Sequence, residues 1–95
     1  MSESTKAPAR ELLEAAHRFP CEYVIKAFGP AHTEFRSGVG AAAHAAVGAR
    51  VEVSERVGSK GNSICITLTL AAETVDEVIL AYERLHAVPG LRMIL

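Results

Sequence analysis

The chain has 95 residues, 49% of them hydrophobic and 22% charged, and its net charge is −1. This composition belongs to one globular domain with a single core and excludes a disordered chain. So small a charge cannot draw in a polyanion or an anionic membrane by its overall field, and no apolar run approaches the roughly 20 residues that span a bilayer.

The opening MSESTKAPARELLEAAHRF is polar and has no continuous apolar segment. It does not read as a secretory leader, and the protein is expected in the cytoplasm. Residues 1–8 read as a frayed tail ending at Pro8. Good helix formers from Ala9 to Arg18 predict a short first helix with Leu12, Leu13 and Ala16 on one side. Phe19-Pro20 is expected to stop it, because the residue before a proline is pushed toward extended geometry. In CEYVIKAFG (21–29), Tyr23, Ile25 and Ala27 alternate with Val24, Lys26 and Phe28, which predicts a first strand closed by Gly29-Pro30.

Between Ala31 and Val47, Phe35, Val39, Ala42, Ala43, Ala46 and Val47 recur at helical spacing. Gly38 and Gly40 each cost such a helix about 1 kcal/mol relative to alanine, so it must lean on tertiary packing. Gly48 is its expected stop. RVEVSERV (50–57) alternates valines with charged residues and predicts a half-exposed second strand. SICITLTL (63–70) sets Ile64, Ile66, Leu68 and Leu70 against Ser63, Cys65, Thr67 and Thr69 and is the clearest strand of the chain. Thr74 followed by Glu77 has capping-box spacing, and Val75, Val78, Ile79, Tyr82 and Leu85 then mark one face of a helix over 74–87. After Pro89-Gly90, LRMIL (91–95) predicts a last strand.

The order β-α-β-β-α-β is that of an α+β, ferredoxin-like split βαβ: a four-stranded antiparallel sheet with two helices on one face, plus the short N-terminal helix. The domain is expected over 19–95, with 1–18 as tail and extra helix. In such an order the second strand falls at a sheet edge. Its mixed charges, Glu52, Glu55 and Arg56, would let an antiparallel second copy pair glutamate with arginine, so a homodimer through that edge is expected.

Two glycine patterns invite chemistry and do not carry it. Gly58-Ser59-Lys60-Gly61 fits the four-residue pattern of a backbone-clamping loop, but both flanks alternate with period two, as in a hairpin. It reads as a turn in which Gly58 and Gly61 permit positive φ, Asn62 tolerates it and Lys60 is solvated. GVGAAA (38–43) imitates a dinucleotide fingerprint without a strand directly before it. His17, His32, His44 and His86 are scattered, with no ligand spacing, so no metal is expected. No nucleophile, base and orienting acid can be assembled, and no cofactor is expected. Cys21 and Cys65 belong to no CxxC pair, and their strands point them to opposite faces, so two buried or half-buried thiols are expected rather than a disulfide.

Three stretches taken together resemble one family. FPCEYVIKAFG (19–29), the SKGN turn leading into the third strand (59–70) and YERLHAVPGLRMIL (82–95) are similar to the YbeD-like family of small bacterial proteins, over nearly all of Phe19 to Leu95. The matching features are the Phe-Pro pair, Lys26, Gly29, the Ser-Lys-Gly turn, Tyr82 with Leu85, and Arg92-Met93. The resemblance implies a ferredoxin-like fold close to ACT regulatory domains. It brings no established biochemical function and no catalytic residues. The chain departs from its relatives after Asn62, where they often carry an aromatic and a slightly longer segment.

The resulting expectation is a non-enzymatic, ACT-like regulatory or interaction module. Its ligand or partner contacts are expected at Lys26, Phe28, Gly29, Lys60, Gly61 and Asn62, its partner being an unknown protein or a small metabolite. A metabolite sensor with its ligand near Gly29 and the loop that follows is the first alternative. RNA on the open sheet face is the second, although Phe28 is the single aromatic expected there and nucleic acid is not expected overall. No membrane partner is expected.

Overall fold

The protein is described by a computed structural model covering residues 7–95. The elements run α1 (Arg10–Ala16), β1 (Cys21–Pro30), α2 (Thr33–Val47), β2 (Val51–Val57), β3 (Ser63–Ala72), α3 (Val75–His86) and β4 (Met93–Ile94). One sheet holds all four strands in the order β2-β3-β1-β4, every neighbouring pair antiparallel. The molecule is thus α+β, with a four-stranded antiparallel sheet and three helices, consistent with a ferredoxin-like fold.

The alternation in β1 and β3 sorts their side chains. Tyr23, Ile25 and Ala27 of β1 and Ile64, Ile66, Leu68, Leu70 and Ala72 of β3 are buried under α2 and α3. From the helices come Phe35, Val39, Ala42, Ala43 and Val47, then Val75, Val78, Ala81, Tyr82 and Leu85. Each large aliphatic side chain buried here contributes about 1.5–3 kcal/mol, which is what offsets the glycines of α2. Gly38 also has a packing reason, because a Cβ there would lie 2.8 Å from Val88 Cγ1. At Gly40 a Cβ would meet nothing within 4 Å, and the packing gives no account of that glycine.

Several expectations need correction. The first helix ends at Ala16, short of Arg18, because His17 is already extended (φ −137°, ψ 143°) ahead of Phe19-Pro20, whose peptide bond is cis. Of Leu12, Leu13 and Ala16 only Leu13 is buried, while Leu12 is 65% exposed. Of the tail expected over 1–8, residues 1–6 lie outside the described residues. The last strand is Met93–Ile94 rather than 91–95.

The cap of α3 also differs from the expected box. Thr74 accepts from the Glu77 N–H, but the Glu77 carboxylate accepts from the N–H of Glu73 (2.8 Å) instead of that of Thr74. The same carboxylate is gripped by Arg50, with nitrogen–oxygen distances of 3.1 and 2.7 Å. Arg50 donates as well to the Ala71 carbonyl (2.7 Å). One arginine just before β2 thereby ties together the end of β3 and the start of α3. Its hydrogen bonds hold the Glu77 carboxyl below its ordinary range, aided by the Glu73 N–H and opposed by burial.

Candidate functional site

The helices leave one face of the sheet uncovered. β1 presents Glu22, Val24, Lys26 and Phe28 there, β3 presents Cys65, Thr67 and Thr69, and β2 presents Glu52, Ser54 and Arg56, as the cross-strand register requires. Val24, Met93 and Leu95 are about half or more exposed (50%, 49% and 63%).

Charge on this face is segregated along the strands. Glu22 and Glu52 stand at one end, at the level of Ala71 and Thr69. Lys26 stands at the level of Thr67, and Arg56 lies across from Cys65, which lies across from Phe28. Arg92 joins this basic end, its N–H donating to the Phe28 carbonyl (2.8 Å). Four residues along a strand separate Glu52 from Arg56 by about 13 Å.

At the basic end the β2–β3 hairpin and the chain entering β4 enclose a cleft of about 310 Å³. Phe28 and Cys65 lie on the two inner strands that run beneath it, and Arg56, Ser59, Ser63 and Arg92 stand around them. No carboxylate lines the cleft. Arg10 is paired with Asp76, Arg36 with Glu55 and Arg50 with Glu77; Arg56 and Arg92, like Arg18 and Arg84, form no ion pair among the described residues.

Phe28 and Gly29 reach this cleft from the set expected on sequence. Lys26 lies on the same face two residues away, its backbone paired both ways with Leu95 (3.1 and 2.9 Å). Lys60, Gly61 and Asn62 form the exposed tip of the hairpin and do not line the cleft. The turn is closed by Gly58 N–H to the Ser63 carbonyl (2.8 Å) and Gly61 N–H to the Gly58 carbonyl (2.9 Å). Of its expected left-handed residues only Gly61 is one, at φ 77°. A Cβ at Gly58 would lie 2.6 Å from Ser63 Oγ, which would have to rotate away to admit it. Gly29 has a packing role too: a Cβ would meet three Phe35 ring atoms at 2.5–2.8 Å.

Arg56, Ser59, Ser63, Cys65 and Arg92 line the cleft and lie outside the set expected on sequence. The register held the signal for two of them. Once the hairpin pairs Gly58 with Ser63, Arg56 must fall opposite Cys65 on the face of Phe28.

The loop after β1 frames a second hollow, about 600 Å³, between Pro30, His32, Glu34, Phe35 and Pro89-Gly90. Under α3 the Tyr23 and Tyr82 hydroxyls share a buried hydrogen bond (3.0 Å), and burial, with that bond, pushes the Tyr82 phenol upward. Cys21 and Cys65 are free, half-buried and on opposite faces. Among the described residues no group of three or more histidine, cysteine or acidic side chains could hold a metal, and no helix is long and apolar enough to cross a membrane.

Fold and site together define a small α+β sandwich with one sheet face left uncovered by the helices. Residues 14–95 match the family described as "Protein of unknown function (DUF493)". The chain belongs to that family, which corresponds to the YbeD-like small proteins. Neither the curated proteins nor the solved structures compared with it gave a match.

Proposed function

We propose that the chain is a non-enzymatic, ACT-like interaction module of ferredoxin-like topology that works as a homodimer joined through β2. The observation that carries this reading is the state of that strand. β2 pairs with β3 alone, and all of its residues but Val51 are exposed. Gly58 N–H to Ser63 and Ala71 N–H to the Arg50 carbonyl mark the hydrogen-bonded pairs with β3. Alternation then turns the backbone groups of Val51, Val53, Glu55 and Val57 outward, free for another strand.

An antiparallel copy centred on Ser54 would set Glu52 of each copy against Arg56 of the other. Those positions are non-hydrogen-bonded pairs, where side chains stand closest. Val53 and Val57, 51% and 46% exposed, gain cover in the same step. Glu55 does not oppose the pairing, because Arg36 already holds it (3.1 and 3.2 Å).

Sedimentation equilibrium on the wild type and on Val53→Pro tests the reading. The proline deletes an outward donor and leaves the β3 ladder intact, so the variant should be monomeric with unchanged helical circular dichroism. A wild type that stays monomeric at high micromolar concentration overturns the dimer.

The sensing alternative finds support in the hollow after β1, although His32 and Glu34, its polar groups, are both exposed. RNA binding finds less: Phe28 is the lone aromatic that the open face offers, amid charges of both signs.

A further inference from the structure

We propose that the cleft above Phe28 and Cys65 binds a small organic carboxylate, its anionic group held between Arg56 and Arg92 and its apolar body laid against Phe28. The proposal extends the reading of the chain as a non-catalytic binding module; it does not require the dimer, whose Glu52 would compete with the ligand for Arg56.

Arg56 and Arg92, from separate parts of the chain, β2 and the approach to β4, line one cleft. Within one copy of the chain, no acid in the lining offsets them. Of the five other arginines, Arg10, Arg36 and Arg50 have a carboxylate partner, and the unpaired Arg18 and Arg84 line no cleft with a second arginine. A guanidinium presents a planar fork of N–H donors that matches a carboxylate in two parallel hydrogen bonds. The Ser59 and Ser63 hydroxyls add donors beside them.

The remaining lining is apolar, from Phe28, Val57, Ile64 and the Cys65 thiol. A volume of 310 Å³ sits at the low end for small-molecule sites, so the occupant is compact. A nucleic-acid strand fits poorly, because Glu22 and Glu52 stand further along the same face. An anion with an apolar body satisfies both halves of the cleft.

The test is titration of the isotopically labelled protein with benzoate, hexanoate, acetate and inorganic phosphate, followed by amide shifts. Arg56 is also the residue that an antiparallel copy would set against Glu52, so the titrations are repeated on Val53→Pro to read ligand binding apart from dimerisation. Saturable shifts confined to 28–29, 56–59, 63–65 and 92 are expected with benzoate or hexanoate. Arg56→Gln and Arg92→Gln should each weaken binding about tenfold, the worth of one charge-assisted contact. Both side chains are exposed, so the variants keep the fold.

The proposal is overturned by shifts that do not saturate, by affinities that both variants leave unchanged, or by inorganic phosphate binding as tightly as benzoate. Slow chemical conversion of a bound carboxylate would sink the non-enzymatic reading while leaving the site in place. A wild-type monomer that still binds would sink the dimer alone.

Discussion

Gly29 sits where two demands meet. Its neighbour Phe28 faces the open cleft, while its own position backs onto the Phe35 ring, which is 1% exposed and locked in the core. A methyl group at Gly29 would lie 2.5 Å from the ring's Cζ. A buried aromatic ring met by a methyl group at three of its atoms cannot give way cheaply, so Gly29→Ala should cost about 1–3 kcal/mol by overpacking. A urea midpoint unchanged by the substitution would show that Phe35 can shift. On sequence, Gly29 read as a contact candidate; the ring above it comes from six residues further along, after a turn whose geometry no spacing rule supplies.

Among the elements, the Arg50–Glu77 contact joins β2 to α3 across 27 residues of chain. Glu77 has its carboxyl lowered from an ordinary value near 4.5, mainly by hydrogen bonding from Arg50. A carboxyl depressed in the folded state contributes stability that is fully present above its unfolded value and is lost as pH falls through the folded one. Glu77→Gln removes that contribution but keeps an acceptor for the Glu73 N–H. The variant should therefore be less stable than the wild type near pH 7, and the gap should narrow as pH falls below the ordinary carboxylate range and Glu77 takes up its proton in the folded state. A gap that stays the same as pH falls, in denaturant titration, would show that the charge contributes nothing.

Helix and strand identities were legible because they rest on period, and period survives without a fold. α3 announced itself through Thr74 and its apolar face, and β3 through strict alternation. What period could not reveal was pairing at a distance. The grip of Arg50 on Glu77 and the meeting of Arg56 with Arg92 both depend on which strands become neighbours. The packed face of α1 is illegible for a related reason: Leu12 and Leu13 look equivalent in sequence, yet the helix touches the body on one side only.

For the molecule as a whole, the sheet order predicts a gradient of local stability. β1 and β3 are the inner strands, paired along ten residues. β4 contributes two strand residues at one edge, and α1 buries Leu13 alone. Amide hydrogen exchange should be slowest in β1 and β3 and fastest in α1 and β4, since local opening there exposes little apolar surface. Protection in α1 equal to that of β3 would mean that α1 opens only with the whole domain. The family match begins at Glu14, inside α1, so this measurement also bears on placing the domain boundary at residue 19.

The cleft has its floor on the two inner strands and its arginines on outer elements. Floor and walls therefore answer to different selective pressures. Replacing Phe28 disturbs a half-buried position in the central strand, whereas exposed side chains at 56 and 92 can be exchanged at a cost usually within about 0.5 kcal/mol. A lineage could keep this scaffold and change its ligand by mutating the rim, one residue at a time, without passing through an unfolded ancestor.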